Sequence, residues 1–381
     1  MDLPVNGFEL LEQLKEKETN PKHQFRRLKN YLELKAREKG IPVFGDFELT
    51  PLCNLNCKMC YVHLDADQLK GRSILSVNKW KDLMYQAWKA GMMFANLTGG
   101  ECLTYPGFEE LFLYLHSLGC EVGVLTNGVL LDEKRIQFFK KHAPSVIQVT
   151  LYGWNEDVYE RVTGKRAFSI VAKNIQHAVD VNLPVCISIT PNCYLGEDIF
   201  DTIRVAKDLC KSVMINSLYT TPRIETGRAD QQGDADISLY VRTYKYLNQL
   251  EGRETIEMHS ESLPPCGSSC HEVSDCGLLC GGGRSGFSID WKGTLKPCID
   301  LEAIHAYPLT EGFSAAWTKI NREANLWPRV PECTECAYNG VCNNCAAGML
   351  RYASPGKQPC GLCEQTMELV RNGVFHLPEC N

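Results

Sequence analysis

Phe47-Glu48-Leu49-Thr50-Pro51-Leu52-Cys53-Asn54-Leu55-Asn56-Cys57-Lys58-Met59-Cys60-Tyr61 is the stretch from which the rest of the chain is read. A short apolar run ends in a loop with three cysteines spaced C-x3-C-x2-C. Three thiolates this close on one loop suit three corners of a cubane iron–sulfur cluster, because soft ligands favour such clusters. The absent fourth protein ligand is informative. An electron-transfer cluster normally closes its shell with four cysteines, whereas three leave one iron open for chemistry. Zinc knuckles show paired C-x2-C units instead, and inert buried thiols have no reason to cluster.

Downstream of this loop, short apolar runs alternate with helical patterns. Strands are expected at Phe47–Thr50, Phe94–Thr98, Glu121–Leu125, Ile147–Leu151, Val185–Thr190 and Val213–Leu218. Helices are expected near Val77–Ala90, Glu109–Ser117, Glu133–His142, Ile170–Val181, Asp198–Cys210 and Ile237–Gln249. Such alternation means parallel βαβ units. Ligands of these folds sit at the C-terminal ends of the strands, where Cys53 to Cys60 fall. Residues 6–39 read as two polar, lysine-rich helices. The expected division is a helical lead-in over 1–44, a barrel over 45–255 and a cysteine-rich region over 256–381. The last is mostly irregular, with little helical pattern before Glu364–Arg371.

The chain has 381 residues, is 44% hydrophobic and 23% charged, and carries a net charge of −6, which argues against an extended nucleic-acid footprint. Its N-terminus has neither a basic n-region nor an apolar h-region, and no apolar run is long enough to span a bilayer. The expectation is a cytoplasmic, soluble protein with no nucleic-acid or membrane partner. Twenty cysteines then call for metal clusters rather than a disulfide framework, and eleven of them crowd between Cys266 and Cys363. The default for Cys102, Cys120, Cys186, Cys193 and Cys210, on or beside barrel elements, is a buried inert thiol. Cys380 has no reading.

The cysteine loop resembles the signature of the radical S-adenosylmethionine (SAM) superfamily, C-x3-C-x-Φ-C, with Met59 in the Φ place. The resemblance implies a partial (β/α)6 TIM-type barrel of α/β class. It implies that Cys53, Cys57 and Cys60 hold a 4Fe–4S cluster whose open iron chelates SAM. Reductive cleavage would then release a 5′-deoxyadenosyl radical that takes hydrogen from a substrate. Leu97-Thr98-Gly99-Gly100-Glu101 resembles the GGE motif, which implies a SAM amino-group site at Gly99, Gly100 and Glu101; alone it is an ordinary turn. Leu125-Thr126-Asn127-Gly128 is similar to the T-N-G segment of relatives, and reads equally as an Asn-Gly turn. Thr150 takes the place of a hydroxyl that touches the SAM carboxylate. Arg161 is a further candidate for that carboxylate, or a solvated surface arginine. Asn192 is a candidate of the same kind. Gly227-Arg228-Ala229 resembles an element of subfamilies with a cysteine-rich C-terminus.

The C-terminal cysteines resemble the SPASM domain, which carries two auxiliary 4Fe–4S clusters. Ser288–Thr294 reads as a hairpin turning at Asp290–Gly293. The resemblance gives Cys280, Cys298 and Cys345 to the first auxiliary cluster, with Cys276 preferred over Cys266 or Cys270 as fourth ligand. The second takes Cys333, Cys336, Cys342 and Cys360, with Cys363 competing for the Cys360 place. The Cys342–Cys345 gap is one residue shorter than the family pattern, and a pair of zinc ribbons is the bland alternative. The cofactors so implied are SAM and three 4Fe–4S clusters.

The implied activity is peptide or protein maturation by an oxidative thioether or carbon–carbon crosslink. The implied partners are a small precursor peptide, an external one-electron reductant such as flavodoxin or ferredoxin, and a separate leader-binding protein. A formylglycine-forming sulfatase maturase is the alternative. Its glutamine before GGE is Thr98 here, and its aspartate after the cysteine is Ile299, leaving Asp300, one place late, as the candidate catalytic residue. A non-catalytic iron–sulfur carrier is the alternative of another class, but it has no use for an open iron or for Glu101.

Overall fold

The expected apolar runs form strands because alternate side chains find a core on each face of one sheet. The computed structural model describes residues 21–216, 223–226, 236–252, 276–339, 341–342, 345–350, 355–356 and 360–377. Within these, the strands are β1 (Phe44–Glu48), β2 (Phe94–Thr98), β3 (Glu121–Thr126), β4 (Val146–Thr150), β5 (Val185–Ile189), β6 (Val213–Ile215), β7 (Gly286–Ile289) and β8 (Leu295–Lys296). They make one eight-stranded sheet ordered β6-β5-β4-β3-β2-β1-β7-β8. Neighbours run parallel from β6 to β7, and β8 alone is antiparallel. The parallel units are those that the alternation implies, and their arrangement is the partial, open barrel of α/β class that the resemblance implies.

The helices Val77–Lys89, Phe108–Ser117, Glu133–Lys141, Phe168–Asp180 and Asp198–Leu209 connect successive strands. Side-chain caps start several helices: Asp132 accepts from Arg135 N at 3.0 Å and Asp236 from Leu239 N at 2.6 Å. Trp80, Leu83, Met84 and Ala87 form one buried stripe, as a 3.6-residue period requires. An additional helix, Glu156–Thr163, lies outside the expected set. It is capped by Asn155, which accepts from Val158 N at 2.9 Å.

Two features of the C-terminal third add to the expected organisation. The sheet continues past the boundary expected near residue 255. β7 pairs in parallel with β1, Phe47 opposite Ile289, so the hairpin completes the barrel sheet. Its turn lies at Asp290–Gly293 as expected, with Gly293 N donating to Asp290 O at 2.8 Å and Gly293 at φ +89°. The region is also less irregular than its cysteine content suggests. Phe313–Asn325 is a helix of 13 residues that buries Phe313, Ala316, Trp317, Ile320 and Ala324. Phe287 packs edge-on against Phe47 at 5.9 Å and against Phe313 at 5.1 Å. Phe47 is itself fully buried, so the cores of both parts are continuous.

Of the lead-in, Pro21–Lys39 is helical, and the first of the two expected helices lies outside the described residues. Trp317 Nε1 donates to Gly40 O at 2.7 Å and ties its end to the C-terminal helix. No helix among the described residues is long and apolar enough to cross a membrane.

Candidate functional site

The cysteine loop is held on three sides by backbone hydrogen bonds. Asn56 N donates to Thr163 O at 2.9 Å and Lys58 N to Val162 O at 3.1 Å, which seats the loop on the helix Glu156–Thr163. Gly100 N donates to Thr50 O at 2.7 Å and Glu101 N to Leu52 O at 2.9 Å, which clamps it to the end of β2. Leu64 N closes it back on Pro51 O at 3.1 Å.

The two glycines serve this clamp. Gly99 has φ +142°, and a Cβ there would stand 2.5 Å from Thr50 O. A Cβ on Gly100 would stand 2.4 Å from Leu52 O and 2.7 Å from Pro51 O. Backbone atoms cannot swing away as a flexible side chain would, so any larger residue displaces the thiol loop. Gly100→Ala is therefore expected to lower the iron that the resemblance assigns to this loop. The measurement is iron per chain after anaerobic reconstitution, with the SAM-responsive electron paramagnetic resonance (EPR) signal; undiminished values would show that the loop tolerates the shift.

Glu101 is 1% exposed and its carboxylate works inward. Oε1 accepts from Thr126 Oγ1 at 2.8 Å and Leu103 N at 3.0 Å, and Oε2 from Asn127 N at 2.7 Å. Burial raises its pKa against these donors. Asn127 reaches from the end of β3 to the loop, its Nδ2 lying 2.7 Å from Asn54 Oδ1 and 3.5 Å from Cys53 Sγ.

Cys53, Cys57 and Cys60 converge beside Tyr152. Burial raises the Tyr152 hydroxyl well above its usual range, and the neighbouring Cys57, Cys60 and Cys53 add to the effect. Cys53 Sγ accepts from Leu55 N at 3.4 Å, and Cys60 Sγ from His63 N at 3.3 Å. Burial, then Glu101, pushes the Cys53 thiol up to about 12. A bound cation inverts that preference, since a coordinated thiol is deprotonated outright.

A cavity of about 220 Å³ opens over Cys57 and Cys60, lined also by Gly99, Gly100, Thr150 and Ile299 among others. It lies at the C-terminal ends of the strands, as the fold dictates. Thr190 and Asn216, at the ends of β5 and β6, also line it and were not singled out from the sequence. Asn216 Nδ2 donates to Ser188 Oγ and Thr190 Oγ1, both at 2.9 Å. Both are polar residues at the ends of parallel strands, the kind of position that the resemblance gives to Thr150.

Other candidates sit apart from that lining. Arg161 is ion-paired with Asp198 and donates from Nε to Tyr194 O at 3.0 Å. Asn192 caps its own loop, donating to Thr190 O at 2.8 Å and accepting from Leu195 N at 2.9 Å.

Beneath the cavity lies an ion pair that went unnoticed in the sequence. Arg223 meets Glu48 in a two-pronged contact at 2.9 and 2.7 Å, with side chains 5% and 0% exposed. Its guanidinium also stands over Tyr61 at 5.4 Å, donates to Ile299 O at 3.3 Å and pairs with Glu302 at 3.1 Å. Burial works against that charge, but Glu48 outweighs it and holds the guanidinium pKa above its usual value. One arginine thus links β1, the cysteine loop and the segment after β8. The charged Glu48 within an apolar strand was the available clue.

In the C-terminal region, Cys280, Cys298 and Cys345 are neighbours. Burial, then Asp300, pushes Cys298 up to about 12, with Cys345 adding to it. Burial also raises Cys345, to which Asp300 and Cys280 contribute. Cys276 and Cys280 are exposed, while Cys298, Cys333, Cys336, Cys342, Cys345 and Cys363 are half-buried. Thr366 Oγ1 donates to Cys342 Sγ at 3.5 Å. Cys266, Cys270, Cys380, the Gly227-Arg228-Ala229 element and the Cys360 side chain lie outside the described residues.

Among the described residues, no three His, Cys, Asp or Glu side chains converge on a single metal ion. A cubane takes one thiolate on each of three irons, so its ligands stand farther apart than those of a mononuclear site. The N-terminal donor set fits such a cluster: three thiols, N–H groups aimed at two of the sulfurs, and a buried Asn54 Nδ2 with no acceptor among the described residues.

Comparison with known proteins agrees with this geometry. Residues 47–209 match the family model described as the Radical SAM superfamily. The Bacillus subtilis antilisterial bacteriocin subtilosin biosynthesis protein AlbA is 27% identical, over 81% of this chain and 68% of that protein. The AdoMet-dependent heme synthase of Methanosarcina barkeri is 24% identical, over 81% of this chain and 92% of its own length. Streptococcus suis SuiB bound to S-adenosylmethionine shares the fold at TM-score 0.67 and 16% identity, over 94% of this chain and 86% of that one. The same protein bound to its precursor peptide SuiA gives 0.66. Residues 47–209 are a radical SAM domain, of the family that binds SAM and a 4Fe–4S cluster, and the relatives that the chain resembles are enzymes.

Proposed function

We propose that the chain modifies a small ribosomally made precursor peptide, forming an oxidative thioether or carbon–carbon crosslink. The observation that carries this reading is the cavity over Cys57 and Cys60, bounded by strand-end hydroxyls on one side and by Ile299, next to Cys298, on the other. Likeness to AlbA and to peptide-bound SuiB supports a peptide over a tetrapyrrole. Cys53, Cys57 and Cys60 are the ligands proposed for the SAM-binding cluster, which when bound and reduced would supply the one electron that splits SAM into methionine and a 5′-deoxyadenosyl radical. Gly99 and Gly100 bring the β2 backbone against the loop so that SAM has a fixed seat. Thr150, Thr190 and Asn216 present the polar groups that orient it. Tyr152 and Ile299 wall the cavity and exclude water.

Cys280, Cys298 and Cys345, with Cys276, are the proposed ligands of the first auxiliary cluster, and Cys333, Cys336, Cys342 and Cys360 or Cys363 of the second. Such clusters supply a sink for the second electron that an oxidative product releases. An external one-electron reductant would feed the SAM-binding cluster. Formylglycine formation is the second reading. It is disfavoured by Ile299, which lines the cavity at the place where that chemistry wants an aspartate.

The test is anaerobic reconstitution followed by incubation with SAM and a strong reductant. The expected result is about twelve irons per chain, from three cubanes, together with release of 5′-deoxyadenosine. A plateau near four irons would remove the auxiliary clusters. Absence of deoxyadenosine at full iron loading would overturn the reading.

A further inference from the structure

We propose that Asn127 sets the reduction potential of the cluster held by Cys53, through the hydrogen bond from its side-chain amide to the cysteine sulfur. This rests on the ligand role of Cys53 proposed above. Nδ2 lies 3.5 Å from Cys53 Sγ, and the amide cannot turn its oxygen there instead. Oδ1 accepts from Val129 N at 3.0 Å, so the nitrogen must face the loop. The backbone is pinned as well, because Asn127 N donates to Glu101 Oε2 at 2.7 Å. Asn127 is 5% exposed, so water does not replace the contact.

An N–H aimed at a ligand sulfur favours the more negative, reduced state. Hydrogen bonds to the sulfurs are among the terms that set an iron–sulfur potential. Low local dielectric strengthens each of them. The Leu55 and His63 amides also donate to Cys53 and Cys60, but they belong to the loop backbone and persist under any side-chain substitution. Asn127 comes from a different element, the end of β3. It therefore couples the electronics of the loop to the sheet. Glu101 acts as a positioning residue in the same arrangement, its carboxylate gathering Leu103, Thr126 and Asn127 into one rigid corner.

Asn127→Ala removes the donor, and Asn127→Asp replaces it with an acceptor while keeping the shape and the Val129 contact. Both are reconstituted alongside the unaltered protein and titrated anaerobically by EPR, following the signal that changes when SAM is added. The expected result is a shift of that centre to more negative potential in both variants, larger for Asn127→Asp, with the other centres unmoved. An unchanged potential in both overturns the proposal. So does failure of both variants to hold the centre, which would make Asn127 a scaffold of the loop. If the unaltered protein has no SAM-responsive centre, the proposed function fails instead.

Discussion

Cys57→Ala is expected to bring SAM cleavage down to the level of reductant alone. Cys57 is the middle ligand of the proposed set and is buried between the loop's anchor points on β2 and on the helix Glu156–Thr163. With two thiolates left, a cubane is held at an edge and is lost or rearranged. The effect should exceed the roughly 10- to 100-fold cost of deleting an outer-sphere partner of a metal ligand. Deoxyadenosine counted against iron per chain is the measurement. Cleavage persisting in this variant would take the loop out of the mechanism.

Arg223→Met is expected to cost about 3–5 kcal/mol of stability, the usual effect of stripping a partner from a buried charge. The carboxylate of Glu48 is wholly enclosed and receives both prongs of the guanidinium. Methionine keeps much of the volume and removes the charge. Glu48→Gln together with Arg223→Met should recover most of the loss, because a neutral pair carries no uncompensated ion. Denaturant unfolding of the single and double variants measures this. Equal losses in both would mean that packing, rather than charge, makes this contact matter.

Most of the sheet was legible because its strands are apolar runs with their own helical returns. β2 begins and ends where the periodicity places it, β3 and β5 differ by a residue at one end, and β4 is displaced by one residue at both ends. β1 starts earlier than expected, at Phe44, because its first residues pair with β2 and β7 rather than standing out as apolar. The pairing of β7 with β1 was invisible, since four residues beside glycines and cysteines give no hint of a partner so far away in sequence. The helix Phe313–Asn325 was hidden by the cysteines on either side of it, although its apolar spacing is regular.

The site was legible where short motifs force geometry. The paired glycines are explained by backbone atoms within 3 Å of where a Cβ would be. Thr150 lines the cavity, whereas the Arg161 guanidinium pairs with Asp198. Arg223 escaped notice because nothing local marks an arginine whose partner is on the first strand.

The way the hairpin docks bears on how this protein can be dissected. A fragment ending near residue 255 would leave the outer rim of β1 with bare amides and carbonyls and would strip Phe287 from the ring of Phe47. Such a fragment would recruit another strand or clump. The N-terminal half is therefore best studied by silencing C-terminal cysteines one at a time within the intact polypeptide.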